Sequence, residues 1–421
     1  MLETKISYQY EKWDYFVVLT FVLTTGTIIW FHYLSPGLSL SFYFLIATIN
    51  LLVRDRKIRL VRNLSFYYCI YIFIIALLGG VLFYSHYVEN ATIGYLISAI
   101  SSYLIISTYS FVYFKKILTN VVFYITLIGE LVFILSEFDL LPLQSIVIAG
   151  DVKIIFYGYS LGWPNLFHRF AGLWHEPGAC QIILNTVICL HYHEFVTWTW
   201  QKNQLLKMII IIIGVLLTQS TGGYFVFMLF MLNVMFGVKF KYKHAMFLKL
   251  LLFILGGVII WHLYHSPIIQ EKIFSDENGN ESMSKIQRTT ENLAMFQMFL
   301  ERPIWGWGLG THEQIEMFDK LDNGGCSNGV LYMLCSWGVV WFFPFLWMVY
   351  RNMKQMYGHF FMIMLLAFFL MQSNERYLEF PMSFIFVFQF KREGIYGYRK
   401  NKRSMYIKED KVVSTCCSKN G

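Results

Sequence analysis

Apolar residues in this chain come in long unbroken runs separated by short polar stretches. The runs cover about 14–33, 38–53, 64–84, 91–114, 117–135, 177–198, 204–219, 221–238, 246–264, 327–350, 358–373 and 377–390. Most approach the roughly 20 residues that an α-helix needs to cross a hydrocarbon core about 30 Å thick. They lack the strict apolar–polar alternation of a barrel strand, and backbone polar groups in lipid must be satisfied within their own segment, so the runs predict helices. The pattern predicts about twelve spans, with ten to thirteen as the range because 38–53, 377–390 and the pair within 204–238 are short. The expected fold class is all-α: a polytopic transmembrane helical bundle over residues 1–390, with a partly helical large outer loop and a basic tail over 391–421. The first run lacks a small-residue cleavage site and is expected to be the first span rather than a signal peptide.

Composition agrees with lipid as the solvent. Of 421 residues, 57% are hydrophobic and 14% charged, where a soluble domain carries about a quarter charged. Charge then orients the bundle. Short loops rich in Lys and Arg stay in the cytoplasm, and 54–62 and 239–249 are such loops, as is the tail. Both termini are therefore expected inside. The net charge of +8 is accounted for by this topology, and no nucleic-acid partner is implied. Seven cysteines are scattered, without a CxxC pair or other metal spacing; no disulfide framework or cofactor follows.

Two long segments remain outside, 136–176 and 265–326, both holding Trp, Pro, Gly, His and Arg. Long ordered loops are usually functional. The first ends in His168-Arg169-Phe-Ala-Gly172-Leu-Trp-His-Glu176-Pro177-Gly178, where Pro177 suits the first turn of a helix. Arg169 has the planar fork that grips phosphate, and Glu176 either accepts a proton or holds Arg169. Next, Leu217-Thr-Gln-Ser220-Thr221-Gly222-Gly-Tyr224 forms a hairpin apex whose glycines let backbone N–H groups approach a ligand; a tight turn alone would also need them. Residues 284–300 predict an amphipathic helix with an apolar stripe of Ile286, Leu293, Phe296 and Leu300 and a polar face of Arg288, Glu291 and Asn292. The glycine-rich 305–310 then reads as a compact turn bringing His312, a group able to take a proton near neutral pH, back toward the membrane. Glu130, inside a span, is a functional candidate unless hydrated at the interface. His191, His193 and Glu194 fall at the opposite end of their span and do not share one helical face.

Taken in order, these clusters resemble the superfamily of O-antigen polymerases and O-antigen ligases. The residues are Arg169 and Gly172 with Glu176-Pro177-Gly178; Leu217-Thr-x-Ser220-x-Gly222; Arg288 on a helix ending in Pro303-x-x-Gly306-x-Gly308; and Ser327-Asn328 entering the next span. The likeness covers roughly 165–345. It implies a polymerase of O-antigen, capsule or exopolysaccharide, a membrane glycosyltransferase that moves a glycan from undecaprenyl pyrophosphate onto a lipid-linked repeat unit at the outer face of the membrane. Arg169 and Arg288 would stabilise the leaving pyrophosphate, and Glu176 or His312 would be the base or orient the acceptor. Ser220, Thr221, Gly222 and Asn328 would bind substrate. No metal-ligand set appears in the outer loops, so metal-independent inversion is implied. Partners would be the lipid-linked oligosaccharide, membrane lipid, and a flippase and chain-length regulator of the same pathway. Two alternatives stand: a ligase that uses lipid A core as acceptor, and a flippase, which would be expected to show internal repeats and charged groups facing a central cavity.

Overall fold

The computed structural model describes residues 2–54, 63–82, 90–148, 151–162, 169–238, 245–265, 283–320 and 327–391. His168, Cys326, Cys416, Cys417, most of the two basic loops and all of the tail beyond Lys391 lie outside the described residues. The fold is mostly helical. In chain order the helices are α1 (Leu2–Leu23), α2 (Ile28–His32), α3 (Pro36–Arg54), α4 (Leu64–Leu82), α5 (Asn90–Thr108), α6 (Phe111–Glu137), α7 (Pro177–Leu190), α8 (Tyr192–Thr197), α9 (Lys202–Leu217), α10 (Thr221–Gly237), α11 (Ala245–His265), α12 (Met283–Glu301), α13 (His312–Lys320), α14 (Gly329–Tyr357) and α15 (Phe361–Asn374). Among the described residues, four stretches are long and apolar enough to cross a membrane: Pro36–Arg54, Asn90–Thr108, Phe111–Glu137 and Gly329–Asn374. The last is two helices, α14 and α15, packed on each other across a turn at Gly358. Shorter apolar helices include Pro177–Leu190 and Thr221–Gly237.

Successive helices run between two ends of the bundle. One end gathers Arg54, Lys115, Lys202 and Lys391; there Arg54 pairs with buried Asp14 and lies 4.1 Å over the Tyr109 ring. The opposite end carries the hairpin apex and the long loops. Two expected boundaries move. The run 91–114 breaks at Tyr109-Ser110, so that Lys115, which pairs with Glu194, belongs to α6. The run 177–198 is interrupted at His191, between α7 and α8.

Two segments depart from the all-helical expectation. Residues 144–162 form an antiparallel sheet of β1 (Gln144–Ile148), β2 (Asp151–Phe156) and β3 (Tyr159–Gly162). Their β-branched residues suit a pleated surface, but to a hydropathy average Ile and Val look alike in helix and strand. The expected helical span 377–390 instead holds a 3-10 turn at Pro381–Ile385 flanked by irregular chain, buried over most of its length. Irregular backbone survives at membrane depth only where protein satisfies it. Here Ser98 donates to the Glu379 carbonyl (3.0 Å), Asn352 to those of Phe386 (3.3 Å) and Val387 (2.5 Å), and the Gln389 N–H donates to Ser65 Oγ (2.8 Å).

A second break lies within α14. Gly338 has φ 65° and ψ −167°, and the loop 303–308 docks into the gap. Trp307 N–H donates to the Cys335 carbonyl (2.9 Å), Gly308 N–H to Ser336 (2.8 Å), and Val339 and Val340 donate to Pro303 (2.9 Å) and Ile304 (3.2 Å). The Pro303-x-x-Gly306-x-Gly308 pattern is thus a backbone clamp on a broken helix. Gly306 has φ +70°, and a Cβ there would lie 2.5 Å from the Cys335 carbonyl oxygen, which cannot move without its helix. Gly358 has a similar φ of +62° with nothing within 4 Å. With ψ −124° Gly358 lies outside the left-handed α well, and Gly358→Ala should therefore cost backbone strain alone, about 1–3 kcal/mol. Gly306→Ala should lower the thermal midpoint of the detergent-solubilised protein well beyond that; equal losses would contradict the clamp.

Candidate active site

Arg169 ties the first long loop to the hairpin apex. It is buried, and its guanidinium donates from Nε to the Thr218 carbonyl (3.2 Å) and from Nη2 to the Gln219 carbonyl (2.7 Å). The adjacent Phe170 N–H donates to Leu217 (3.2 Å). These are the unsatisfied carbonyls at the end of α9, where partial negative charge favours a cation. Burial lowers the proton affinity of Arg169 from its usual value; the charges of Glu375 and Glu176 oppose that, and the charge of Arg288 adds to it. An arginine nonetheless stays protonated in a protein, so the site holds a fixed cation. The segment carrying it is clamped from behind. Ser160 on β3 donates from its N–H to Gly172 (2.7 Å), Ile28 N–H donates to Leu173 (2.8 Å), and the Trp174 indole donates to the Thr25 carbonyl (2.9 Å).

Three helix N-termini converge on the end of α15. Pro177 occupies the first turn of α7, and a Cβ on Gly178 would lie 1.9 Å from Glu375 Oε1. At the start of α10, a Cβ on Gly222 would lie 2.2 Å from the Asn374 side chain; at the start of α14, one on Gly329 would lie 2.8 Å from the Glu375 carbonyl. The Glu375 carboxylate is therefore seated where helix dipoles favour negative charge. Ser220 caps α10 by accepting from Gly223 N–H (3.4 Å). The Thr221 hydroxyl is buried without a hydrogen-bond partner among the described residues. Asn328 caps α14, accepting from the N–H groups of Val330 and Leu331 (both 3.1 Å).

The amphipathic helix of the large loop is α12, within a residue of its expected bounds. Its apolar stripe of Ile286, Leu293, Phe296 and Leu300 is exposed, as is Arg288, whereas Glu291, Met295 and Met298 are buried, with the helix packed on α14. In a membrane protein lipid can be the partner of such a stripe, as in an interfacial helix. The buried Glu291 accepts from the Ser327 N–H (3.0 Å) and hydroxyl (2.8 Å), fixing the entry to α14. Arg288 is exposed on α12, close enough for its charge to act on Arg169.

Arg169, Glu176 and Arg288 are thus brought together, beside Ser220, Thr221 and Gly222. His312 opens α13 with 80% of its side chain exposed and its ring 3.2 Å from Glu316; the turn before it is the clamp on α14. Glu130 is buried on α6 against α9, where a Cβ on Gly214 would lie 3.2 Å from its Oε1. His191 bonds Thr119 (2.8 Å) at the basic end. Sequence reasoning missed Glu375, which stands in a short polar break, Ser373-Asn-Glu-Arg376, between two apolar runs. It also missed Lys153, a charged residue buried on the same face of β2 as Ile155.

Against this geometry, a family model described as O-antigen ligase matches residues 206–346. That match covers about a third of the chain, and over those residues the chain is similar to the O-antigen ligase family. It includes the hairpin apex, Arg288 and the clamp on α14; Arg169, Glu176 and Glu375 lie outside it. No curated protein matches the chain.

The close seat of Glu375 on α7 is testable by a double-mutant cycle. Gly178→Ala should lower the thermal midpoint in the wild-type background and cost little when Glu375 is also Ala, a coupling of about 1–3 kcal/mol. Losses that simply add would contradict the contact.

Proposed function

We propose that this chain belongs to the O-antigen polymerase and ligase superfamily and is a polymerase of bacterial surface polysaccharide. It would join undecaprenyl-pyrophosphate-linked repeat units at the outer face of the cytoplasmic membrane. The observation that carries this reading is the buried Arg169, locked to the carbonyls of Thr218 and Gln219 with the charges of Arg288, Glu176 and Glu375 around it. In this reading the chain crosses the bilayer about twelve times, the irregular stretch after Glu375 included, and the basic end with both termini faces the cytoplasm by the positive-inside rule.

The chemistry follows from charge. Nucleotide sugars stay in the cytoplasm, so the activated donor outside is lipid-linked. The acceptor hydroxyl oxygen attacks the anomeric carbon, and a new C–O bond forms there. The bond from that carbon to the phosphate oxygen breaks, and undecaprenyl pyrophosphate leaves with the electron pair. Arg169 and Arg288 stabilise the charge that develops on the departing group, commonly the largest catalytic contribution. The acceptor proton passes to Glu176. Ser220, Thr221, Gly222 and Asn328 line the approach, and the exposed apolar stripe of α12 rests in the membrane interface and holds Arg288 at headgroup level. His312, on the exposed α13, is then a loop histidine paired with Glu316 rather than the base.

The family's description as O-antigen ligase supports a second reading, with lipid A core as acceptor. The two differ in what a deletion leaves. Loss of a polymerase should leave single repeats in place of long chains, while loss of a ligase should leave long chains still on the carrier lipid. Arg169→Ala and Arg288→Ala should each abolish chain elongation when returned to the deletion strain. Full-length polymer from both variants would sink the assignment.

A further inference from the structure

The small sheet carries a residue that its own packing does not require. Alternation along β2 turns Lys153 and Ile155 to the same inward face, and both are buried, Lys153 with 2% of its surface exposed. Withdrawing an ammonium from water costs several kcal/mol, so a lysine on an inward face is compensated or it is lost. Its Nζ stands 3.8 Å from Oε1 of Glu176, whose side chain keeps 31% of its surface exposed. Glu176 in turn acts electrostatically on Arg169 and Tyr377. Backbone bonds hold these partners in one frame. The N–H of Ser160 on β3 bonds Gly172, and the N–H of Arg169 donates to Leu161 (3.4 Å), while β3 pairs with β2 at Ile154, Ile155 and Phe156, just beyond Lys153.

We propose that Lys153 is the positioning residue for Glu176, holding its carboxylate turned to the acceptor hydroxyl. The lysine is buried and the carboxylate is not, so Lys153 acts through Glu176 rather than on the substrate. The sheet is then part of the acceptor side of the site, opposite the arginines on the leaving pyrophosphate. During transfer the acceptor proton moves to Glu176, the new glycosidic bond forms, the lipid pyrophosphate departs with its electron pair, and Lys153 keeps its own proton throughout. This inference rests on the polymerase reading and on Glu176 as base.

The test uses the full chain in nanodiscs, with single-repeat undecaprenyl-pyrophosphate glycan extracted from the deletion strain, and follows turnover against donor concentration. Lys153→Met should lower kcat about tenfold or more, as loss of a positioned base allows, with KM for the donor little changed. Lys153→Arg should recover most of the rate, and Lys153→Met added to Glu176→Gln should cost nothing further. If Lys153→Met does not fold, Lys153→Gln carries the same expectations. Wild-type turnover in the charge-free variant would overturn the proposal. So would a loss that adds to that of Glu176→Gln and is not recovered by Lys153→Arg, which is the mark of a merely structural lysine. Wild-type protein that leaves the repeats unjoined would instead defeat the polymerase reading.

Discussion

Arg169 donates to two carbonyls at the end of α9, and the architecture of the site end follows from that junction. A helix ending at Leu217 leaves carbonyls without partners, and a buried guanidinium without acceptors would be costly. Each resolves the other's deficit. The consequence is geometric: the loop after the sheet, the hairpin apex and the start of α7 become one body. Glu176 and Glu375 then stand near a cation that cannot withdraw, and Arg288 meets it from α12.

The second constraint is lipid. It allows irregular backbone only where protein supplies the hydrogen bonds, and the chain uses that allowance twice. In one case, the loop 303–308 fills the break in α14 at Gly338 with backbone bonds of its own. In the other, the stretch after Glu375 runs among side chains of α5 and α14 that bond its carbonyls. Both devices reach the site. The clamp sets the position of α12, and the stretch after α15 begins at the glutamate seated on α7.

The sequence disclosed these parts unequally, for physical reasons. The turn at Ser220-Thr-Gly222 was legible because glycines and hydroxyls between apolar runs have few other uses. The helix α12 was legible from its period, but the partner of its apolar stripe was not, since hydropathy cannot tell lipid from protein beside Leu293 and Phe296. The strands were missed because Ile and Val at 146–155 serve helix and strand alike. Glu375 and Lys153 were missed because each gains meaning only from a partner distant in the chain, Gly178 for one and Glu176 for the other. The clamp glycines were noticed, and their backbone role appeared only once Cys335 lay opposite Gly306.

The proposed role of Arg169 and Arg288, receiving the pyrophosphate of a lipid-linked donor, can be seen in an electron cryomicroscopy map of the chain in nanodiscs saturated with undecaprenyl pyrophosphate. Diphosphate density should bridge the two guanidinium groups, with Arg169 still bonded to Thr218 and Gln219. Density seated elsewhere on the outer face, with both arginines as they stand in the free protein, would contradict that role.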